Sequence, residues 1–236
     1  MTDRLEQAGR RALERAIEAW GKGIVDSPRT APTSSTQWID SIIRTSAGLG
    51  WPACSPTQRE YRGDHDFEWC GAFAAHAWAE SIGLATRRLY FSSTFRLDRW
   101  AQYRPAFNSA NERSLMFDHP RPEDPAQRRL YLRLDAASTP DTVAEFAPRA
   151  GDILLVGAEP GLSAWALPYG THVTVVESYD AKTSTFKTVE GNAHGTQPDG
   201  KVRQGVVRQV RPLGCASKPG EYHALRLIRP GLADLP

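Results

Sequence analysis

The chain has 236 residues, 40% of them hydrophobic and 24% charged, with a net charge of only +2. That size fits one large domain or one domain with additions, and the balance is that of an ordinary globular protein. Acidic and basic residues are mixed along the chain, which gives no electrostatic footprint for nucleic acid, and no apolar run is long enough to span a bilayer.

The first element is an amphipathic helix over residues 3–22, where Leu5, Ala8, Ala12, Ala16, Ile17 and Trp20 recur at helical spacing. The segment is charged throughout. It lacks the apolar core and cleavage site of a secretory signal, so export would need another route. Residues 26–36, "DSPRTAPTSST", have linker composition. A second helix is predicted over 37–48, stopped by Gly48 and Gly50, and residues 51–69 read as loop.

A third helix starts at Cys70 and runs to about Ser81, with Gly83 as its stop. Residues 86–148 carry an Arg- and aromatic-rich run around Arg87–Tyr103 and a Pro-rich run after His119; short helices and loops are expected there. From Gly151 the pattern changes to β-branched runs: "DILLVG", "THVTVVESY", "STFKTVEG", "GVVRQVRP" and "HALRLIR". Five strands with short connections imply an antiparallel sheet. Helices first and strands afterwards is the α+β order.

Three cysteines, Cys54, Cys70 and Cys215, are too few for a disulfide framework, although one pair could bridge. Cys70 stands apart because it opens a helix. The unpaired N–H groups and partial positive charge of a helix start favour a thiolate and can hold a developing oxyanion. A small, inert, buried hydrophobe is the competing reading of the same residue.

A nucleophile needs a base. Of the six histidines, His76 lies about 240° around the helix from Cys70 by the helical repeat, whereas His172 opens a strand, where a side chain can be presented at a sheet rim. With a turn centred near Ala181, His172 falls opposite Glu190. A carboxylate there can accept from the imidazole and fix its tautomer. Asn192 lies two residues on, on the same face. A one-residue slip would move Glu190 to the other face.

Four motifs in order, "EWCGAFAAHAW", "AGDILLVG", "GTHVTVVESYD" and "VEGN", resemble the CHAP family of cysteine, histidine-dependent amidohydrolases and peptidases, relatives of the NlpC-type cell-wall hydrolases. The matching positions are Trp69–Cys70, Gly151–Asp152, Gly170–Thr171–His172–Val173 and Glu190–Gly191–Asn192, within residues 64–195. The resemblance implies a papain-like α+β core in which the nucleophile helix packs on a roughly five-stranded antiparallel sheet. It implies Cys70 as nucleophile, His172 as base, and Glu190 with Asn192 as orienting groups. The domain expected is 37–232, with an insertion at 86–148, preceded by a helix and linker over 1–36. The stretch between the Cys70 helix and Gly151 is longer than in the family.

The implied activity is hydrolysis of an amide bond in peptidoglycan, by an amidase or an endopeptidase. A wall substrate without a signal suggests a phage lysin or a delivered antibacterial effector, with an immunity protein or secretion component as further partners. Trp69, Trp100 and Tyr103 are the candidate substrate-binding aromatics. A protease or deamidase acting on protein, and an inactive wall-binding module, are the alternatives. No cofactor is expected. Asp64 and Asp66 fall short of the six to eight oxygen ligands that calcium takes, and no Cys/His cluster has zinc spacing.

Overall fold

A computed structural model describes residues 2–26, 33–47, 69–83, 91, 94–104, 121–134, 138–158, 172–213 and 222–236. Cys54, Cys215, Asp64, Asp66 and Arg87 lie outside these residues. In chain order the elements are α1 (Thr2–Gly21), α2 (Ser34–Ala47), α3 (Cys70–Ala77), α4 (Thr94–Ala101), β1 (Leu130–Arg133), α5 (Pro140–Phe146), β2 (Ile153–Ala158), β3 (His172–Asp180), β4 (Thr185–Thr196), β5 (Val202–Pro212) and β6 (Tyr222–Arg229), with short 3₁₀ turns at Pro125–Gln127 and Leu232–Asp234.

The strands form one sheet in the order β1-β6-β2-β3-β4-β5, and every recorded pairing is antiparallel. Five of the strands are those expected from the β-branched runs. The sixth, β1, comes from the 86–148 segment, where loops and short helices were expected. It is four residues long and lies at an edge, half-exposed, so its hydrophobic signal is short.

Alternation along the strands separates two apolar layers. Val173, Val175, Val189, Ile153, Leu155 and Ile228 join the helices α1 to α4 in the larger core. Leu154, Val156, Val176, Phe186, Ala224 and Leu227 meet Leu134 and Val143 of α5 on the other face. The helices reach the first layer because their contact faces are small. Ala8, Ala12, Ala16 and Ala19 bury one stripe of α1, while Glu6–Arg10 and Glu18–Lys22 pair at the solvent face. Helix α1 and Ile24 thus share this core, and Val25 bridges to Gly205 of β5. Helix α3 is buried nearly all round; its half-buried His76 meets Trp38 of α2 edge-on at 5.1 Å.

Gly151 holds the junction between α1, α3 and β2. It has φ +86, and a Cβ there would fall inside the carbonyl group of Gly9. Its own carbonyl accepts from Trp78 Nε1 at 3.1 Å. The next residue, Asp152, takes a two-pronged bond from the buried Arg229 at 2.8 and 2.7 Å. Gly200 has φ +79 with nothing near its missing Cβ. Gly151→Ala should therefore cost about 2–3 kcal/mol, combining backbone strain with overpacking. Gly200→Ala should cost about 1 kcal/mol from strain alone. Urea unfolding of the two variants checks this ranking.

Candidate active site

Glu190 is the most enclosed charged group of the site, at 0% exposure. Its Oε2 lies 3.0 Å from His172 Nε2 and accepts from Arg211 Nη2 at 2.5 Å. Its Oε1 accepts from Arg211 Nε at 2.8 Å and from the Thr188 hydroxyl at 2.5 Å. Three strands supply the set: His172 from β3, Thr188 and Glu190 from β4, and Arg211 from β5. Burial works against the carboxylate, but the hydrogen bonds and charges of His172 and Arg211 hold Glu190 down at about 2.

The register that makes this contact differs from the expected one. Asp180 pairs with Thr185, so the turn is centred between Lys182 and Thr183 rather than near Ala181. A bulge between Val176 and Ser178 then takes back one residue, and Val175 pairs with Val189. Continued to the rim, that register puts Asn192, not Glu190, opposite His172. The displacement is two residues, an even number, so Glu190 keeps the face that His172 occupies and reaches it diagonally.

Asn192 itself has φ 58 and sits where the β4–β5 register shifts. Its Oδ1 accepts from Gln204 Nε2 at 2.7 Å, a bond across to β5. The bond that orients the imidazole comes from Glu190.

With Nε2 on Glu190, the other ring nitrogen is left for Cys70, whose thiol lies near enough to act on the charge of the ring. Both partners are nearly closed off, Cys70 at 4% and His172 at 8% exposure. Burial disfavours the imidazolium. The charge and hydrogen bond of Cys70, and then those of Glu190, overturn that and push His172 up to about 10. Cys70 is the first residue of α3, whose first N–H groups have no acceptor within the helix. The thiol, the imidazole and the donors for an oxyanion therefore meet where the start of α3 reaches the start of β3.

The candidate substrate-binding aromatics are placed differently from the expectation. Trp69 is 2% exposed, edge-on to Phe73, and close against Gly191. Trp100 is 1% exposed. The Arg129 guanidinium lies over it at 4.3 Å and over Tyr103 at 4.3 Å, while it pairs with Asp234. Tyr103 is half-buried, and its hydroxyl accepts from the Arg129 backbone N–H at 2.6 Å. Trp100 and Tyr103 thus each turn a ring face to a buried arginine. Arg211 and Thr188, which complete the site, were not singled out in the sequence: they lie within "GVVRQVRP" and "STFKTVEG", which read simply as strands.

Among the described residues, no group of three or more His, Cys, Asp or Glu could hold a metal ion, and no helix is long and apolar enough to cross a membrane. No protein-family model, curated protein or solved structure matches this chain.

Glu190 gives a pH test that needs no substrate. It binds its proton at about 2 in the folded protein, against an ordinary value of 4.5. Between these values the unfolded chain carries more protons, so stability falls as the pH drops through that window. Glu190→Gln should flatten the dependence there. It should also lower stability by about 1–3 kcal/mol at pH 6, since it takes the Glu190 charge away from the two-pronged bond with Arg211. Urea titrations from pH 2 to 6 measure both.

Proposed function

We propose that the chain is a cysteine hydrolase that cuts an amide bond in peptidoglycan, on a papain-like α+β scaffold. The observation that carries the reading is the chain of contacts Cys70–His172–Glu190, with the thiol at a helix start and the carboxylate fully buried. A buried inert cysteine has no need of an imidazole, still less of one held by a carboxylate. The wall substrate comes from the CHAP-like motifs alone.

In this mechanism His172 already holds the thiol proton, and the Cys70 thiolate attacks the carbonyl carbon through Sγ. An S–C bond forms and the carbonyl electron pair moves to oxygen, facing the N–H groups at the start of α3. His172 then delivers its proton to the leaving amine, and the C–N bond breaks. Water adds to the thioester, and expulsion of the thiolate frees the carboxylic acid and restores the cysteine. Glu190 keeps the imidazole oriented and stabilises its charged form. Delivery would be as a lysin or a secreted effector, the latter implying an immunity partner.

One observation favours a second reading, a hydrolase acting on protein. Burial of Trp100 removes one aromatic face that argued for glycan binding, and Tyr103 turns a ring face to Arg129. Incubation with intact sacculi and with unfolded casein separates the two. Release of new amines from sacculi only, absent in Cys70→Ala, is the expected result; casein cleavage at equal or greater rate would transfer the assignment to protein.

Cys70→Ser and His172→Ala should each abolish nearly all turnover, with the double variant little worse than either, because the residues act as one unit. Glu190→Gln should lose more activity than Asn192→Ala, since the amide of Asn192 is engaged by Gln204. Rates on sacculi, with far-UV circular dichroism to confirm folding, test both statements.

A further inference from the structure

We propose that Arg211 is a positioning residue for this site: its guanidinium fork locks the Glu190 carboxylate against rotation and draws off part of its negative charge, so that His172 both accepts the Cys70 proton and gives it up. The proposal rests on the hydrolase reading of Cys70 and His172.

The geometry carries both halves. Arg211 meets the two oxygens of Glu190 with two separate nitrogens, Nε on Oε1 and Nη2 on Oε2. A carboxylate gripped in that way cannot turn about its terminal bond, and a single-point donor such as lysine cannot reproduce the grip. The Thr188 hydroxyl on Oε1 reinforces the same orientation. Oε2 is thereby aimed at His172 Nε2, which fixes the ring and turns its other nitrogen to Cys70.

Arg211 reaches this position from a distance along the sheet. Glu190 is paired with Val207, and Arg211 is paired with Phe186, four residues away along each strand. Phe186, Thr188 and Glu190 share one face of β4, so the long arginine side chain runs back along that face past Thr188. It is only slightly exposed, at 14%.

A general base must also release the proton it holds. Cys70 and Glu190 together hold the imidazolium strongly, with His172 pushed up to about 10. A proton held that firmly is given back reluctantly to a leaving amine. Arg211 is the cation that opposes this hold. Among the described residues, the charged and titratable groups that act on the pair are Cys70 from α3, His172 from β3, Glu190 from β4 and Arg211 from β5.

The test uses the full chain and two variants, Arg211→Lys and Arg211→Met. Cys70 alkylation by iodoacetamide is followed against pH, with peptide mass mapping to separate Cys70 from Cys54 and Cys215, and turnover is measured on sacculi. Arg211→Lys keeps the charge and loses the fork. Its kcat should fall about 10–100-fold, as for other residues that orient a functional ligand, with KM and the alkylation pH profile close to wild type. Arg211→Met removes the cation, so the imidazolium holds its proton more strongly. The limb of the alkylation profile at which the imidazolium loses its proton should move up by about one pH unit.

Folded variants with wild-type kcat and unmoved limbs would overturn the proposal while leaving the hydrolase reading intact. If Arg211→Met does not fold, Arg211→Lys decides alone: unchanged kcat overturns the fork. A wild-type Cys70 that titrates as an isolated thiol, with a single limb, would overturn the hydrolase reading and the role of Arg211 with it.

Discussion

A fully buried carboxylate in the middle of a sheet is the constraint around which the site is arranged. Taking Glu190 out of water costs several kcal/mol unless charge and hydrogen bonds compensate. Here each oxygen has two partners: Oε1 meets Arg211 and Thr188, and Oε2 meets Arg211 and His172. Apolar residues of similar volume would stabilise the sheet at least as well. What the carboxylate adds is direction, because it points one nitrogen of His172 and thereby sets where the other points. Other buried arginine–carboxylate pairs, Arg229 with Asp152 and Arg129 with Asp234, tie elements of the scaffold together. Among the described pairs, only the one at Glu190 has an imidazole as third member and a thiol beyond it.

The two faces of the sheet divide the work. One face carries Val173, Val175 and Val189 against the helical layer, which fixes α3 and with it Cys70. The alternate residues His172, Thr174, Thr188 and Glu190 belong to the other face by the period of the strand, where the polar chain runs toward Arg211. The thiol and the imidazole are thus delivered by opposite layers and can meet only where a helix start and a strand start coincide. That makes the start of α3 and the first residue of β3 sensitive positions. Trp69 and Phe73 packed on Gly191 link the helix start to the strand that bears Glu190. Side chains that look like substrate binders in the sequence serve in this way as the fixing of the nucleophile.

Most of the scaffold was legible because its signals are local. Alanines at helical spacing gave α1, and β-branched runs gave β2 to β6. β1 was missed because four half-exposed residues between irregular segments carry little pattern. Cys70, His172 and Glu190 were legible from a helix start, a strand start and hairpin pairing. The pairing survived a wrong turn centre only because the error was even. Arg211 was not legible at all. Its contact skips along the strand past Thr188, so it depends on the β4–β5 register and on the reach of a long side chain. The packing of Trp100 and Tyr103 was hard to read for a related reason. A buried arginine needs flat aromatic neighbours and a counter-charge, and Arg129 takes Trp100, Tyr103 and Asp234 from distant parts of the chain.

The motifs that prompted the hydrolase reading do not all carry chemistry. Gly151–Asp152 is required by packing: the glycine lets α1 approach at a left-handed backbone position, and the aspartate neutralises a buried arginine. Gly191 leaves room for Phe73 and Trp69. Any chain that lays a helix on this sheet in this way would need small residues at these points, whatever it catalyses. Half of the motif string is therefore a signature of architecture. The part that distinguishes an enzyme from a mere scaffold is smaller. It is a thiol at a helix start, an imidazole at a strand start, and a carboxylate whose burial makes sense only in the presence of Arg211.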